Sequence, residues 1–293
     1  MTGFARTIAM RLLAAALASA LLVLPTTSAV KASDETLDRT EVAKGLLAHR
    51  AVYDIALETA ASSSNVQSVS GRLVFEVTGS VCEGFTVNSR FVTEIDDQDG
   101  GRRVTDLRSS TYESADADSF EFLSRTFADQ RLQQEAKGSA ERTADGLSVE
   151  LSMPEEAKVR FDKDVLFPTE HLVSLIAAAE EDRRIVEADL YDGSEDGRKV
   201  YTTTAIIGAV SEDPVGEDDG LLAKSIGTDR HWPVNLSYFD LSKGETGELT
   251  PVYTLRFMLF ENGVSRALTL DYGNFSLTGT LAELDRLPRS TCK

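Results

Sequence analysis

An all-β chain carrying a single amphipathic helix near its middle is the fold this sequence predicts, on three observations. Short runs alternate apolar and polar residues at period two along most of the chain. Turn chemistry separates them, as in Asp99-Gly100-Gly101, Asp145-Gly146 and Asn262-Gly263. One segment, Thr169 to Arg184, shifts to helical spacing instead. The intervals between runs suit a meander rather than βαβ units.

The N-terminus reads as an export signal. Arg6 and Arg11 precede an apolar run, Leu12 to Leu24, followed by Pro25 and the small residues Thr26-Thr27-Ser28-Ala29, the tripartite pattern of a secretory signal peptide. Cleavage after Ala29 or after Ala32 fits, which gives a signal at 1–29 and a single domain at 30–293. The run is short for a spanning helix, which needs about 20 residues, and no later stretch qualifies, so no transmembrane segment is expected. An uncleaved anchor is the alternative. No Cys follows the run to take a lipid.

Composition narrows the function classes. The chain has 293 residues, 48 Asp and Glu against 30 Lys and Arg, and a net charge of −18. Losing Arg6 and Arg11 with the signal takes −18 to −20. Phosphate neutralisation needs clustered cations, so nucleic acid and anionic membrane surfaces are not expected partners. With 42% hydrophobic residues the chain can build a real core. The cysteines, Cys82 and Cys292, stand 210 positions apart without the spacing of a zinc site or a redox CxxC pair. In an oxidising compartment they read as a bridge, with two unrelated buried thiols as the alternative.

Taken in order, a polar stretch from Ala32 to Thr40 leads to a short helical pattern, Glu41 to Leu47, and then to strands. Ala51, Tyr53, Ile55 and Leu57 alternate with Val52, Asp54, Ala56 and Glu58. Leu73, Phe75 and Val77 form one face of the next run, and Phe85, Val87, Phe91 and Ile95 one face of a third. Such half-buried strands imply an antiparallel sheet with one wet face. Further runs follow at Val104–Thr111, Ser119–Thr126, Arg131–Ala136 and Leu147–Leu151. In the helix, Leu172, Leu175, Ile176 and Ala179 make the apolar stripe. Pro168, Thr169 and Glu170 suit its start, and Arg183 and Arg184 its end. The small run Ala177-Ala178-Ala179 suits close packing on the concave side of the β structure. Strands resume at Val186–Tyr191 and Lys199–Ile207, and the acidic stretch Ser211 to Gly220 reads as a solvated loop. The sharpest hairpin joins Tyr253–Phe260 to Val264–Tyr272 through Asn262-Gly263, which suits a type I′ turn. No internal repeat and no long linker divides the chain.

Catalytic patterns are lacking. His49, His171 and His231 are isolated from one another, with neither HExxH nor paired-ligand spacing, and GxSxG, GxxxxGK[ST] and post-strand GxGxxG are all missing. Acidic pairs such as Glu180-Glu181 and Asp218-Asp219 read as solvated. The expectation is therefore no catalytic residue, no metal and no cofactor. The richest aromatic stretch is His231 to Phe239, where Trp232, Val234, Leu236 and Tyr238 share a face. It reads either as an aromatic platform for a glycan or lipid or as an ordinary packed strand. Trp232, Tyr238 and His171 are the candidate ligand-contacting residues. Asn235-Leu236-Ser237 and Asn274-Phe275-Ser276 match the glycosylation tripeptide at chance level.

Several stretches, in order, resemble the EipB family, periplasmic cell-envelope integrity proteins of alphaproteobacteria formerly grouped as a domain of unknown function. They are His49-Arg50-Ala51-Val52-Tyr53, Val81-Cys82-Glu83-Gly84-Phe85, Leu166-Phe167-Pro168-Thr169-Glu170-His171, Tyr191-Asp192-Gly193-Ser194, Trp232-Pro233-Val234 with Ser237-Tyr238-Phe239, Glu261-Asn262-Gly263-Val264, and the terminal Cys292. The resemblance implies an extended antiparallel β-spiral of about fourteen strands with a helix on its concave side. It also implies a disulfide between the positions of Cys82 and Cys292. For function it implies a non-enzymatic envelope factor associated with a periplasmic tetratricopeptide-repeat protein, and it supplies no catalytic residue. The spiral is similar in shape to periplasmic lipoprotein-carrier and lipid-binding folds, an analogy of architecture alone. Two readings compete: a periplasmic binding or scaffold protein, or a carrier of an apolar envelope ligand or an envelope hydrolase. An unfilled apolar cavity favours a carrier, a filled concavity a scaffold, and a clustered nucleophile or carboxylate pair a hydrolase.

Overall fold

The structure, a computed structural model, describes residues 39–161, 164–213, 224–240, 250–290 and 292, which fall in one compact unit. The signal pattern at 1–29 and most of the acidic stretch lie outside the described residues. Helix α1 (Arg39–Gly45) precedes β1 (His49–Ala60), β2 (Val66–Ser80), β3 (Gly84–Asp97), β4 (Arg102–Glu113) and β5 (Ser119–Ala128). Strands β6 (Arg131–Thr143), β7 (Gly146–Met153) and β8 (Ala157–Phe161) follow, then helix α2 (Pro168–Glu180). The return half comprises β9 (Ile185–Leu190), β10 (Tyr201–Ile207), β11 (His231–Phe239), β12 (Tyr253–Phe260), β13 (Ser265–Asp271) and β14 (Phe275–Arg286).

All fourteen strands form one unclosed sheet in the order β8-β7-β6-β5-β4-β3-β2-β1-β14-β13-β12-β11-β10-β9. Every neighbouring pair is antiparallel. The chain lays down eight strands by hairpins, passes through α2 to the opposite edge, and returns by hairpins until β14 pairs with β1. The two edges, β8 and β9, are thus consecutive in sequence with the helix between them.

Two apolar cores result. The larger joins α2 residues Val173, Leu175, Ile176 and Ala177–Ala179 to Ala51, Tyr53 and Ile55 of β1 and to Trp232, Leu236, Leu259, Leu277 and Leu281 of the return half. The smaller gathers Phe120, Phe122, Leu147 and Val149 from β5 and β7 around Phe167 and Tyr191. In it Phe120 stacks on Phe167 at 5.0 Å and meets Tyr191 edge-on at 6.1 Å. Helix α2 is less one-sided than its sequence suggests: nine of its residues are buried, while Leu172 from the expected stripe is half-buried.

The helix also ends earlier than expected. Asp182 turns left-handed at φ 56°. Its N–H bonds the Ala179 carbonyl at 3.2 Å and the Arg183 N–H the Ala178 carbonyl at 2.8 Å, the Schellman pattern that closes a helix. Arg183 and Arg184 therefore stand beyond the last turn. At the other end Phe167 is the cap residue and has no polar side chain to offer. The capping comes from β4: Glu113 accepts the N–H groups of Thr169 and Glu170, each at 2.8 Å. Arg142 of β6 holds the same end, donating to the carbonyls of Ala117 at 2.7 Å and Val165 at 2.8 Å, pairing with Glu170, and lying 4.9 Å above the Phe167 ring. Burial lifts the Glu113 carboxyl to about 7 against the pull of those two backbone bonds.

Candidate functional site

Antiparallel register carries side chains of one face across neighbouring strands, so rows can be followed from β1 to β5. One row runs His49, Val77, Val87, Thr111; the next runs Ala51, Phe75, Ser89, Ser109, Ser124; a third runs Tyr53, Leu73, Phe91, Leu107. These rows face the interior. Residues from all three, together with the first turn of α2, enclose a cavity of about 410 Å³.

The strand wall of the cavity is built by His49, Phe75, Val77, Val87 and Leu107, with Ser89, Ser109, Thr111 and Ser124 among them. Pro168, Thr169 and Leu172 of α2 stand in another wall, and Leu46, Tyr253, Asp192 and the Asn262-Gly263 turn complete it. Leu107 is 37% exposed although its row points inward, which marks apolar surface left uncovered. Gly263 suits its place twice over: its φ is 85°, and a Cβ there would stand 2.8 Å from Leu46.

Burial works against charge on two titratable groups of the site, His49 and Asp192. His49 donates from Nδ1 to the Leu47 carbonyl at 2.7 Å, and burial, outweighing that bond, lowers its pKa. Asp192 accepts the Ser194 N–H at 2.9 Å, and burial pushes its carboxyl up. Among the described residues no cluster of three His, Cys, Asp or Glu side chains is placed to hold a metal ion.

The three residues singled out from the sequence fall elsewhere. Trp232 is fully buried in the larger core, with the Arg230 guanidinium 5.1 Å over its ring. Tyr238 stacks on Tyr253 at 4.3 Å and so backs the cavity from behind a residue that lines it. His171 is buried and pairs through Nε2 with Thr203 Oγ1 at 3.1 Å. Since that hydroxyl donates to the Ala188 carbonyl at 2.9 Å, the imidazole N–H is the donor to Thr203. Burial lowers the His171 pKa to about 4. None of the three lines the cavity: Trp232 and Tyr238 lie on β11 while the strand wall comes from β1 to β5, and His171 of α2 pairs instead with Thr203 of β10. The sequence did hold one signal for this wall: Ser89 sits between Val87 and Phe91 on a largely apolar face.

The cysteines come together as well, with Cα atoms 5.6 Å apart at the β2–β3 turn and the C-terminal end, a separation that a disulfide spans. Both residues are exposed.

An unclosed antiparallel sheet of fourteen strands around a buried helix, with a hollow on its inner face, defines a barrel-like fold class. The EipB-like family matches residues 40–288, and the chain belongs to that family. It is similar to the cell envelope integrity protein EipB of Brucella abortus (strain 2308), 39% identical over 240 residues that cover 82% of this chain and 84% of that protein. Among solved structures it resembles a beta-barrel-like protein of a domain of unknown function, also from Brucella abortus. That match has a TM-score of 0.76 and 37% identity, and covers 83% of this chain and 99% of the other. Among the described residues no helix is long and apolar enough to cross a membrane.

Proposed function

We propose that this chain is a non-enzymatic factor of cell-envelope integrity that works in the periplasm by binding, taking the apolar part of an envelope lipid into the cavity. The observation that carries this reading is uncovered apolar surface, Phe75, Val87, Leu107 and Leu172, around a hollow within the usual range for ligand sites. Kinship with an envelope integrity protein supports the setting, and the N-terminal pattern of Arg6 to Ala29 supports export. Binding rather than chemistry suits a site whose one imidazole, His49, is tied to a backbone carbonyl. In the oxidising periplasm Cys82 and Cys292 are bridged. On the family resemblance, the exposed surface meets a periplasmic tetratricopeptide-repeat protein.

Native mass spectrometry of protein purified from its own envelope tests the reading. The expected result is a co-purifying lipid that Leu107→Arg removes while the variant keeps its unfolding transition. Wild-type protein that carries nothing, or a variant that carries as much, overturns it.

A further inference from the structure

The cavity has a polar row that a purely apolar occupant would leave unused. Ser89, Ser109 and Ser124 are direct register partners across β3, β4 and β5, and all three line the cavity. Thr111 stands in the adjacent row, two residues from Ser109. None of these four hydroxyls has a hydrogen-bond partner among the described residues. Half-enclosed hydroxyls in a row are costly to leave dry and readily paired by a ligand that brings its own. His49 adds an acceptor: with Nδ1–H committed to Leu47, Nε2 is left without a proton.

Charge is scarce at the same place. No Lys or Arg is among the described residues that line the cavity, although the chain has 30 of them. The carboxyl in the lining, Asp192, is already engaged by the Ser194 backbone. A phosphate or carboxylate head would lose its hydration here without gaining a cation. Size sets a further limit. At about 410 Å³ the hollow lies near the low end of ligand-pocket volumes, which suits one acyl chain.

We propose that the occupant is a single-chain amphiphile with an uncharged, hydroxyl-bearing head, of the monoacylglycerol class. Its hydroxyls meet the row Ser89, Ser109 and Ser124, and its chain lies on Phe75, Leu107 and Leu172. This rests on the reading of the cavity as a lipid site and specifies which head group that site takes.

Titration calorimetry of the purified protein below the micellar range separates the possibilities, with three probes of equal chain length: monolauroylglycerol, laurate and dodecyltrimethylammonium. Monolauroylglycerol is expected to bind at least tenfold more tightly than either charged probe. The triple variant Ser89→Ala, Ser109→Ala, Ser124→Ala is expected to lose about tenfold of that affinity, the equivalent of one or two neutral hydrogen bonds. Should the triple variant not fold, Ser109→Ala alone is expected to lose about threefold. Equal or tighter binding of a charged probe overturns the head-group assignment, as does unchanged affinity in the serine variants. In either case binding that Leu107→Arg abolishes leaves the lipid-site reading standing. If no probe binds, that reading falls and this inference with it.

Discussion

Two alanine substitutions one turn apart on the same face of α2 separate the middle of the helix, which holds the fold, from its N-terminal end, which faces the hollow. Ile176 is 1% exposed within the larger core, so Ile176→Ala removes three buried carbons and leaves a void that rigid neighbours fill poorly. Such changes cost 2–5 kcal/mol in other cores, and about 3–4 kcal/mol is the expectation here. Leu172 is half-buried and borders space that is already open, so Leu172→Ala loses only part of a transfer free energy, about 1 kcal/mol. At roughly 2–4 °C per kcal/mol for a chain of this size, the melting temperature should fall by about 10 °C in the first variant and about 3 °C in the second. Urea unfolding at neutral pH measures both costs, and binding of an uncharged lauroyl probe measures the other consequence. Leu172→Ala should weaken the probe although it barely touches stability, and Ile176→Ala should do the reverse at temperatures where it is folded. Equal losses of stability in the two variants would refute the placement of α2.

Three further outcomes are expected. Cys82→Ser should lower the melting temperature while the protein stays folded at room temperature, the loss being at most about 5 kcal/mol for a loop closed over 210 positions; the wild type should show no titratable thiol until reduced, and two free thiols in exported protein would remove the bridge. Gly193→Ala should destabilise by several kcal/mol, because φ is 67° there and the new Cβ would stand 2.3 Å from the Phe122 ring in the smaller core; an unchanged unfolding midpoint contradicts this packing. Burial holds His171 down to about 4, so the unfolded imidazole takes up a proton below about 6.5 while the folded one resists, and stability contributed by the neutral ring is lost as pH falls from about 6.5 to about 4, by up to about 3 kcal/mol. Glu113, lifted to about 7, acts in the opposite sense between about 4.5 and 7, so the test is the difference between wild type and His171→Gln, which should shrink on acidification; parallel pH profiles would count against it.

Much of the architecture was legible because period two survives wherever a strand has one wet face. Strands β1 to β7 and β9 to β13 are all present as alternating runs. Two were not read, and for different reasons. Strand β8 is only five residues long, Ala157–Phe161. Strand β14 is twelve residues long and pairs with β1, but register shifts at Val52/Tyr53 and Leu57/Thr59 break that ladder, and Ser276 and Leu277 are both buried. A bulge puts successive side chains on one side, which erases the alternation a reader depends on. Of the hollow, only Ser89 between apolar neighbours was legible. Its wall exists only once register sets Phe75 beside Ser89 and Ser89 beside Ser109, and register between hairpins is not written in either strand alone. The aromatic stretch at Trp232 could be read as a platform or as a packed strand, and in the structure Trp232 is part of the core.

The position of α2 links fold and site. It stands where the chain leaves one edge of the sheet for the other, so whatever fixes its first turn also fixes a wall of the cavity. In that first turn Phe167 offers no polar side chain, the local contact being its own N–H to Glu170 at 3.3 Å, and the turn is held mainly by Glu113 from β4 and Arg142 from β6. Strand β4 also supplies Leu107, Ser109 and Thr111 to the opposite wall. One strand thus positions both sides of the hollow, through side chains at period two on its inner face and a carboxylate at its end. The segment Leu166 to His171 thus seats the helix, through Glu113 at Thr169 and Glu170 and through Thr203 at His171.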